Sequence, residues 1–257
     1  MGSGDLHALV AGFEGGAASD DRGRPAYDPA VIDAIVEALD VDAGARVLDL
    51  AAGTGLLSRP LLARGLDVVA VEPLGAMREV LARAIGAERA RDGRAEAIPL
   101  PDGHIDAVVC GDAFHWFDGD RAAAELHRVL RPGAGLCVAF IAPGWREDAP
   151  AWLSEAGALL EPLRREARHP HLAEVERCAA LERHGGFAPL DRREVRFADE
   201  TDRDGVLAYF ASISFVGALP ARERETLLGR LTAVLDRHEV TAVRRPFVAE
   251  LWFTRKA

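Results

Sequence analysis

The chain has 257 residues, of which 49% are hydrophobic and 28% are charged, so it can bury a sizeable core and has the composition of a globular protein. Its formal net charge of −10 at pH 7 argues against nucleic acid as a partner, because a basic face is needed to displace counterions from phosphates. No apolar run approaches membrane-spanning length, and residues 1–16 lack the basic start and apolar stretch of a signal peptide, which predicts a cytoplasmic protein.

The cysteines and histidines give no sign of a disulfide or a metal site. The cysteines are odd in number, lack CxxC spacing and lie partly in predicted strands, so we expect reduced core residues. They are Cys110, Cys137 and Cys178. His169 and His171 have no cysteine or carboxylate partner at ligand spacing, so we predict no metal there or elsewhere.

Segments with helical periodicity alternate with apolar segments typical of strands. In chain order we predict a helix over 29–40, a strand over 45–50, a helix over 55–64, a strand over 67–72, a helix over 75–86, strands over 90–95 and 104–110, a helix over 119–130 and a strand over 134–142. Further on we predict a strand near 194–197, helices near 202–211 and 220–238, and a strand over 247–254. This alternation predicts a doubly wound α/β sheet, with ligands at the carboxyl ends of the strands.

The most informative segment is RVLDLAAGTGLLS, residues 46–58, an apolar strand that turns through Gly53 and Gly55 into a helix. Such an elbow is typical of nucleotide-binding proteins. A dinucleotide site requires G-x-G-x-x-G or A, but Ser58 occupies the last position. Asp49, near the strand end, would repel a phosphate and would bind a cationic amino group. S-adenosylmethionine, which carries an ammonium and a sulfonium and no phosphate, therefore suits this elbow.

A second acid follows at the end of the next predicted strand. The segment LDVVAVE ends in Glu72, about 20 residues after Asp49. At that place a carboxylate can accept hydrogen bonds from both ribose hydroxyls of a nucleotide. No G-x-x-x-x-G-K-[ST] motif is present, and Lys256 is the only lysine, which excludes a Walker loop and argues against a pyridoxal Schiff base. Taken singly, Glu72 can be a solvated residue at a strand end, and Gly53 and Gly55 can form an ordinary turn. The two acids and the glycine turn together, in this order and spacing, predict a cofactor-binding site.

The segments VLDLAAGTG, VVAVEP, AIPLPDGHIDAVVCGDAFHWFD and HRVLRPGAGLCVAF resemble successive motifs of class I S-adenosylmethionine-dependent methyltransferases. The resemblance runs from about residue 24 to 140, nearly half of the chain. The phrase AFHWFD is similar to small-molecule methyltransferases of type 11, a group that includes the trans-aconitate type.

The resemblance implies one methyltransferase domain over 1–257 with a Rossmann-like, seven-stranded sheet. Its cofactor-binding core would span 24–142. Residues 143–186 are helical in pattern and too long for a connecting loop, so we predict a helical lid insertion there. Residues 187–257 would complete the sheet with an antiparallel terminal hairpin.

The resemblance also implies roles for individual residues toward S-adenosylmethionine. In similar enzymes an Arg or Tyr before the first helix closes over the methionine carboxylate, and the loop after the third strand holds adenine through backbone amides and an acid. The cofactor residues so assigned are Arg24, Tyr27, Asp49, Ala51, Gly53, Gly55, Glu72, Met77, Glu96, Ala97, Gly111 and Asp112. Two assignments have structural alternatives, since residues 24–29 can simply introduce the helix and Met77 can belong to the core.

The segment GDAFHW, residues 111–116, would lie beside the sulfonium, which makes Phe114, His115 and Trp116 candidates for binding the acceptor. Methyl transfer is an in-line displacement, so the protein mainly aligns the nucleophile and excludes water. For a hydroxyl, phenol or activated carbon, His115 is the best-placed base, whereas a carboxylate needs none. The alternative for His115 is a hydrogen-bonded wall residue. Many relatives resemble QAFHWF at this place, and Asp112 in this chain disfavours an anionic acceptor.

The sequence thus predicts a methyltransferase for a small, apolar or aromatic molecule. An alternative is a protein that binds S-adenosylmethionine without methyl transfer, as a regulatory partner or as a fold reused for a reaction such as cyclisation. An NAD-dependent reductase is disfavoured by Asp49, by Ser58 and by the lack of a Tyr-x-x-x-Lys pair. The preference for arginine over lysine suggests a GC-rich bacterial genome and a role in secondary metabolism.

Overall fold

The computed structural model describes residues 22–145, 149–166 and 178–257. His169 and His171, the N-terminal segment 1–16 and part of the predicted lid lie outside these residues. Within the described ranges, no helix has the length and apolarity to span a membrane. The same ranges hold no group of three or more His, Cys, Asp or Glu side chains arranged to bind a metal ion.

Helices and strands alternate through the first half of the chain. The helices are α1 (Pro29–Leu39), α2 (Ser58–Ala63), α3 (Gly75–Ile85), α4 (Gly119–Val129), α5 (Ala151–Glu166), α6 (Ala179–His184), α7 (Arg203–Ser212), α8 (Ser214–Gly217) and α9 (Ala221–Arg237). The strands are β1 (Arg46–Leu50), β2 (Asp67–Val71), β3 (Ala90–Arg91), β4 (Ile105–Gly111), β5 (Leu130–Pro143), β6 (Asp191–Asp202) and β7 (Ala242–Arg255). A short 3₁₀ turn covers Phe114–Trp116.

Most boundaries in the first half of the chain match the prediction, whereas β5, β6 and β7 are longer than the strands predicted over 134–142, near 194–197 and over 247–254. Two other differences have a local cause. Helix α2 begins at Ser58 rather than at Gly55, because Gly55 has a φ of 90° that no helix accommodates. Strand β3 ends at Arg91 rather than at residue 95, because the chain then folds back and Ala97 N–H donates to the Arg94 carbonyl. Helix α8 has only four residues and carries no periodicity that would predict it.

The seven strands form one sheet in the order β3-β2-β1-β4-β5-β7-β6, which confirms the doubly wound, Rossmann-like α/β prediction. The pairs β1–β2, β1–β4, β2–β3 and β4–β5 are parallel. Asp49 on β1 is in register with Ala70 on β2 and Val109 on β4. The carboxyl ends of these three strands therefore lie side by side at one edge of the sheet.

The chain divides into two compact units, and the larger one contains residues 26–142, 178–197 and 248–257 among those described. Its apolar strands are buried on both faces, as expected of a parallel sheet covered by helices. Leu48 and Leu50 belong to one buried layer with α4, whereas Val47 belongs to the other with α1. The three cysteines are free and buried, which confirms the prediction of reduced core residues.

The smaller unit contains residues 22–25, 143–145, 149–166 and 198–247 among those described. Its core joins α5, α7 and α9, with Trp152, Phe210 and Leu231 buried together. The helices over 203–237 thus share a core with α5. The sequence predicts a helical lid over 143–186 and further helices near 202–211 and 220–238. In the structure the apolar faces of α7 and α9 pack against α5, which lies in the predicted lid.

Candidate functional site

The turn after β1 is built from residues with positive φ. Ala51 and Gly53 both have a φ of 57°, and Gly55 has a φ of 90°. A Cβ on Gly55 would lie 2.9 Å from Cδ1 of Leu81, so glycine is required there for both conformation and space. Ala51 adopts the left-handed region although it is not glycine, a strain that concentrates at functional sites. The predicted elbow is therefore a tight turn held in an uncommon backbone conformation.

Asp49 is a buried acid beside this turn, with 1% of its surface exposed. The Ser58 hydroxyl donates a hydrogen bond to Asp49 Oδ2 at 2.5 Å. Burial raises the pKa of Asp49 from 3.8 to about 7, and the negative charge of Glu72 adds to this rise, while hydrogen bonds from Ser58 lower it. A buried carboxylate of this kind gains most from a cationic ligand that neutralises its charge.

Glu72 follows β2 and binds the turn directly. Its Oε2 accepts a hydrogen bond from Gly53 N–H at 2.9 Å, and its Oε1 accepts one from Leu74 N–H at 2.8 Å. The residue is 4% exposed. Because each carboxylate oxygen has two lone pairs, it can accept a hydrogen bond from a ligand hydroxyl as well as one from the backbone. The structure thus brings Glu72 and the glycine turn together.

Tyr27 and Gly111 meet at the end of β4. A Cβ on Gly111 would lie 2.2 Å from the Tyr27 hydroxyl oxygen, so only glycine leaves room for that hydroxyl. Burial raises the pKa of Tyr27 well above its usual range, and the charges of Asp112 and Asp49 raise it further. Tyr27 is therefore a neutral hydroxyl close to two of the predicted cofactor residues.

Asp112 connects the ends of β4 and β5. It has a φ of 52°, its N–H donates to the Ala139 carbonyl at 2.8 Å, and its Oδ1 accepts a hydrogen bond from Ile141 N–H at 2.9 Å. Aspartate tolerates the left-handed conformation better than most residues. The side chain thus holds the loop that leads to His115.

The 3₁₀ turn carries the predicted acceptor residues. The His115 ring lies 4.9 Å from the Trp116 ring and 6.1 Å from the Phe140 ring, centroid to centroid. Phe114 is only 2% exposed and belongs to the core, with its ring 5.5 Å from that of Phe117. His115 and Trp116 are partly exposed and can contact a ligand, whereas Phe114 is part of the buried core.

The remaining predicted residues have other neighbours in the structure. Glu96 Oε1 accepts a hydrogen bond from Asp118 N–H at 2.9 Å, and Ala97 is exposed. Met77 is 4% exposed, which agrees with the core alternative for this residue. Arg24 belongs to the smaller unit, where its Nη2 lies 3.5 Å from the Ser212 carbonyl oxygen.

Comparison with known proteins identifies the family. A model described as a methyltransferase domain matches residues 48–138. An uncharacterized methyltransferase of Mycobacterium tuberculosis is 35% identical over 226 residues, which are 86% of this chain and 84% of that protein. The chain belongs to the class I S-adenosylmethionine-dependent methyltransferases. A malonyl-[acyl-carrier protein] O-methyltransferase of Pectobacterium atrosepticum is 30% identical over 202 residues, 78% of this methyltransferase and 73% of that protein.

Solved structures share the fold of this methyltransferase. A protein described as a type II methyltransferase from Anaeromyxobacter dehalogenans has a TM-score of 0.64 at 24% identity, covering 90% of this chain and 97% of that one. The [4+2]-cyclase SpnF has a TM-score of 0.55 at 19% identity, covering 98% and 94%. A Haemonchus contortus phosphoethanolamine N-methyltransferase, solved with S-adenosylhomocysteine, has a TM-score of 0.54 at 15% identity, covering 95% and 57%.

Two polar residues of the elbow were not predicted as site residues. The sequence argument used Ser58 only as a departure from the dinucleotide fingerprint, yet its hydroxyl binds Asp49. Thr54 is 1% exposed, and its hydroxyl has no hydrogen-bond partner among the described residues of this methyltransferase. A signal was available for Ser58, since it is a polar residue between the apolar Leu57 and Leu61 on a helix face that must be buried.

Proposed function

We propose that this methyltransferase transfers a methyl group from S-adenosylmethionine to a small, apolar or aromatic acceptor in bacterial secondary metabolism. The observation that carries the proposal is the pair of buried acids, Asp49 and Glu72, at the carboxyl ends of neighbouring parallel strands. Between them lies the glycine turn that Glu72 holds by a hydrogen bond. This arrangement suits a ligand with a positive amino group and a ribose, and it suits a phosphate poorly.

The residues of the larger unit divide the cofactor between them in this proposal. Asp49 binds the ammonium, and the carboxylate oxygens of Glu72 accept hydrogen bonds from the two ribose hydroxyls. The small residues of the turn allow the backbone to approach the ligand closely. The adenine contacts are assigned to Glu96, Ala97 and Met77, and the contacts near the methionine end to Tyr27, Ala51, Gly53, Gly55, Gly111 and Asp112. When bound, the cofactor supplies the electrophilic methyl group.

The acceptor class is inferred from the aromatic ring cluster around His115. The rings of Trp116 and Phe140 flank the imidazole, which favours a planar or apolar partner. The carboxylate of Asp112, three residues before His115, disfavours an anionic acceptor. If the acceptor is a hydroxyl, phenol or activated carbon, His115 accepts its proton as the methyl group transfers.

Calorimetric titration with S-adenosylmethionine, S-adenosylhomocysteine and NADH tests the cofactor assignment. We expect micromolar binding of the two adenosyl ligands and none of NADH. Asp49→Ala and Glu72→Ala should each weaken adenosyl binding at least tenfold, or about 1.4 kcal/mol. Glu88→Ala, at a carboxylate with 75% of its side chain exposed, is the matched control and should bind like wild type. Unchanged affinity in both site variants would refute the assignment.

The second candidate is binding of S-adenosylmethionine without methyl transfer. The similarity in fold to the [4+2]-cyclase SpnF favours this candidate, because the same fold then serves a cyclisation as well as methyl transfer. Mass spectrometry of a panel of phenols, alcohols, amines and carboxylates incubated with enzyme and S-adenosylmethionine separates the two. A product in which a methyl group has replaced one hydrogen of the acceptor, heavier by CH₂ and absent with His115→Ala, supports transfer with a base. Tight cofactor binding without any methylated product across the panel favours the second candidate.

A further inference from the structure

We propose that Ser58 is a positioning residue for the cofactor, because its hydroxyl orients the buried Asp49 carboxylate toward the ammonium of S-adenosylmethionine and compensates for its burial. The inference rests on the proposed function, in which Asp49 binds that ammonium. Ser58 occupies the position at which the dinucleotide-binding motif G-x-G-x-x-G/A has a glycine or an alanine. Neither of those residues has a hydroxyl.

The geometry supports a strong hydrogen bond between the two side chains. Ser58 is the first residue of α2 and is fully buried, with Leu57 and Leu61 buried beside it. Its Oγ lies 2.5 Å from Asp49 Oδ2, in the range of hydrogen bonds to an ionised carboxylate. A hydroxyl buried on an apolar helix face costs stability unless it has a partner, and here the partner is the site acid.

The charges around Asp49 make this hydrogen bond important near neutral pH. Burial and the negative charge of Glu72 raise the pKa of Asp49 to about 7, and the Ser58 side chain and backbone both oppose that rise. Tyr27, from the segment before α1, and Cys110, from β4, also interact with Asp49. Burial raises the pKa of each of them well above its usual range, so both stay neutral. The charge of Asp49 therefore changes near neutral pH.

Removing the Ser58 hydroxyl should make Asp49 a weaker acid, by about tenfold in its acid constant. Only the carboxylate pairs with an ammonium, so the ligand binds the ionised form and the proton of the neutral form passes to the buffer. Binding at pH 7 should release protons in wild type and more of them in Ser58→Ala, because a larger share of Asp49 is then neutral before the ligand binds. Affinity should fall about fivefold at pH 7 and less than twofold at pH 8.5.

The test is calorimetric titration with S-adenosylhomocysteine between pH 6 and 8.5, in buffers of different ionisation enthalpy. This ligand lacks the sulfonium charge, so its ammonium stays protonated to higher pH than that of S-adenosylmethionine. The variants are Ser58→Ala, Ser58→Thr and Asp49→Asn. Ser58→Thr keeps a hydroxyl and should release protons like wild type, and Asp49→Asn should release none. Ser214→Ala removes a buried serine of the smaller unit and controls for general loss of stability.

The outcomes separate this inference from the proposed function. A larger proton release and a loss of affinity that recovers at high pH in Ser58→Ala support the inference. An affinity loss that is equal at every pH, or wild-type behaviour of Ser58→Ala, overturns it and leaves the cofactor assignment intact. If wild type binds no adenosyl ligand, or if Asp49→Asn binds and releases protons like wild type, the proposed function itself fails and the inference with it. Circular dichroism of each variant verifies that it is folded, and Ser58→Thr supplies the comparison if Ser58→Ala is not.

Discussion

The close packing between Gly111 and Tyr27 in the candidate site yields a sharp prediction for Gly111→Ala. A Cβ on Gly111 would lie 2.2 Å from the Tyr27 hydroxyl oxygen and 3.2 Å from its Cζ, whereas ordinary contacts begin at 3.4 Å. The Tyr27 hydroxyl would have to move away by about 1 Å or more, which costs roughly 1–3 kcal/mol of unfolding free energy. Gly111 does not have a positive φ, so the cost is steric and not conformational.

The double-mutant cycle with Tyr27→Phe isolates that contact. Without the hydroxyl, the nearest Tyr27 atom lies 3.2 Å from the new Cβ and needs to move only slightly. Gly111→Ala should then cost less than about 1 kcal/mol, so the two substitutions should couple favourably by roughly 1–2 kcal/mol. Urea denaturation of the four proteins measures this coupling.

Gly75→Ala is the control for replacing a glycine. Gly75 begins α3, and a Cβ added to it would have no atom within 4 Å, so the change should leave stability equal or slightly higher. If Gly111→Ala costs the same with and without the Tyr27 hydroxyl, or costs nothing, the close approach of these two residues is refuted.

The remaining predictions concern buried charge and helix propensity. Because folding raises the pKa of Asp49 from 3.8 to about 7, the unliganded protein should lose stability as pH rises from about 4 to 7. Urea denaturation at pH 8 should therefore give Asp49→Asn a free energy of unfolding higher than that of wild type, by on the order of 2–4 kcal/mol. At pH 4 the two proteins should have about the same free energy of unfolding. Arg245 is 5% exposed, and its Nε donates to Asp199 Oδ1 at 2.8 Å. Asp199→Ala leaves this buried guanidinium without its carboxylate and should lower the free energy of unfolding by about 3 kcal/mol. Glu161→Ala, which removes an exposed ion pair with Arg165, should lower it by less than about 1 kcal/mol. Gly229 is an exposed residue in the middle of α9, and a Cβ added to it would meet no atom within 4 Å. Gly229→Ala should therefore stabilise the protein by about 1 kcal/mol, measured by thermal unfolding. A loss of stability would contradict this environment.

The elements around the elbow were predictable because their signals are local. An apolar segment of strand length, two glycines and a following apolar helix predict β1, the turn and α2 within three residues. Glu72 was predictable in the same way, since it follows the next apolar strand. The order of the strands is not a local property and was not predicted. Only the seven-stranded, Rossmann-like architecture followed from the resemblance of successive motifs to one family.

The helical part of the chain shows where sequence reasoning ended. The sequence predicts helices within 143–186 and near 202–211 and 220–238, but the pattern does not say which of their apolar faces meet. The structure shows that α5 packs with α7 and α9 around Trp152 and Phe210. Such pairing depends on the shape of the faces in three dimensions, which a one-dimensional pattern does not contain.

By itself the sequence determined the fold class, the strand ends that carry Asp49 and Glu72, and the likeness to a methyltransferase, because each depends on residues close together in the chain. Only the tertiary structure decided that Ser58 binds Asp49, that Tyr27 meets Gly111, and that Phe114 is buried in the core. These contacts join side chains whose positions depend on where strands and helices meet in space. Burial then sets the charge of an acid such as Asp49, and the packing of the whole larger unit sets its burial.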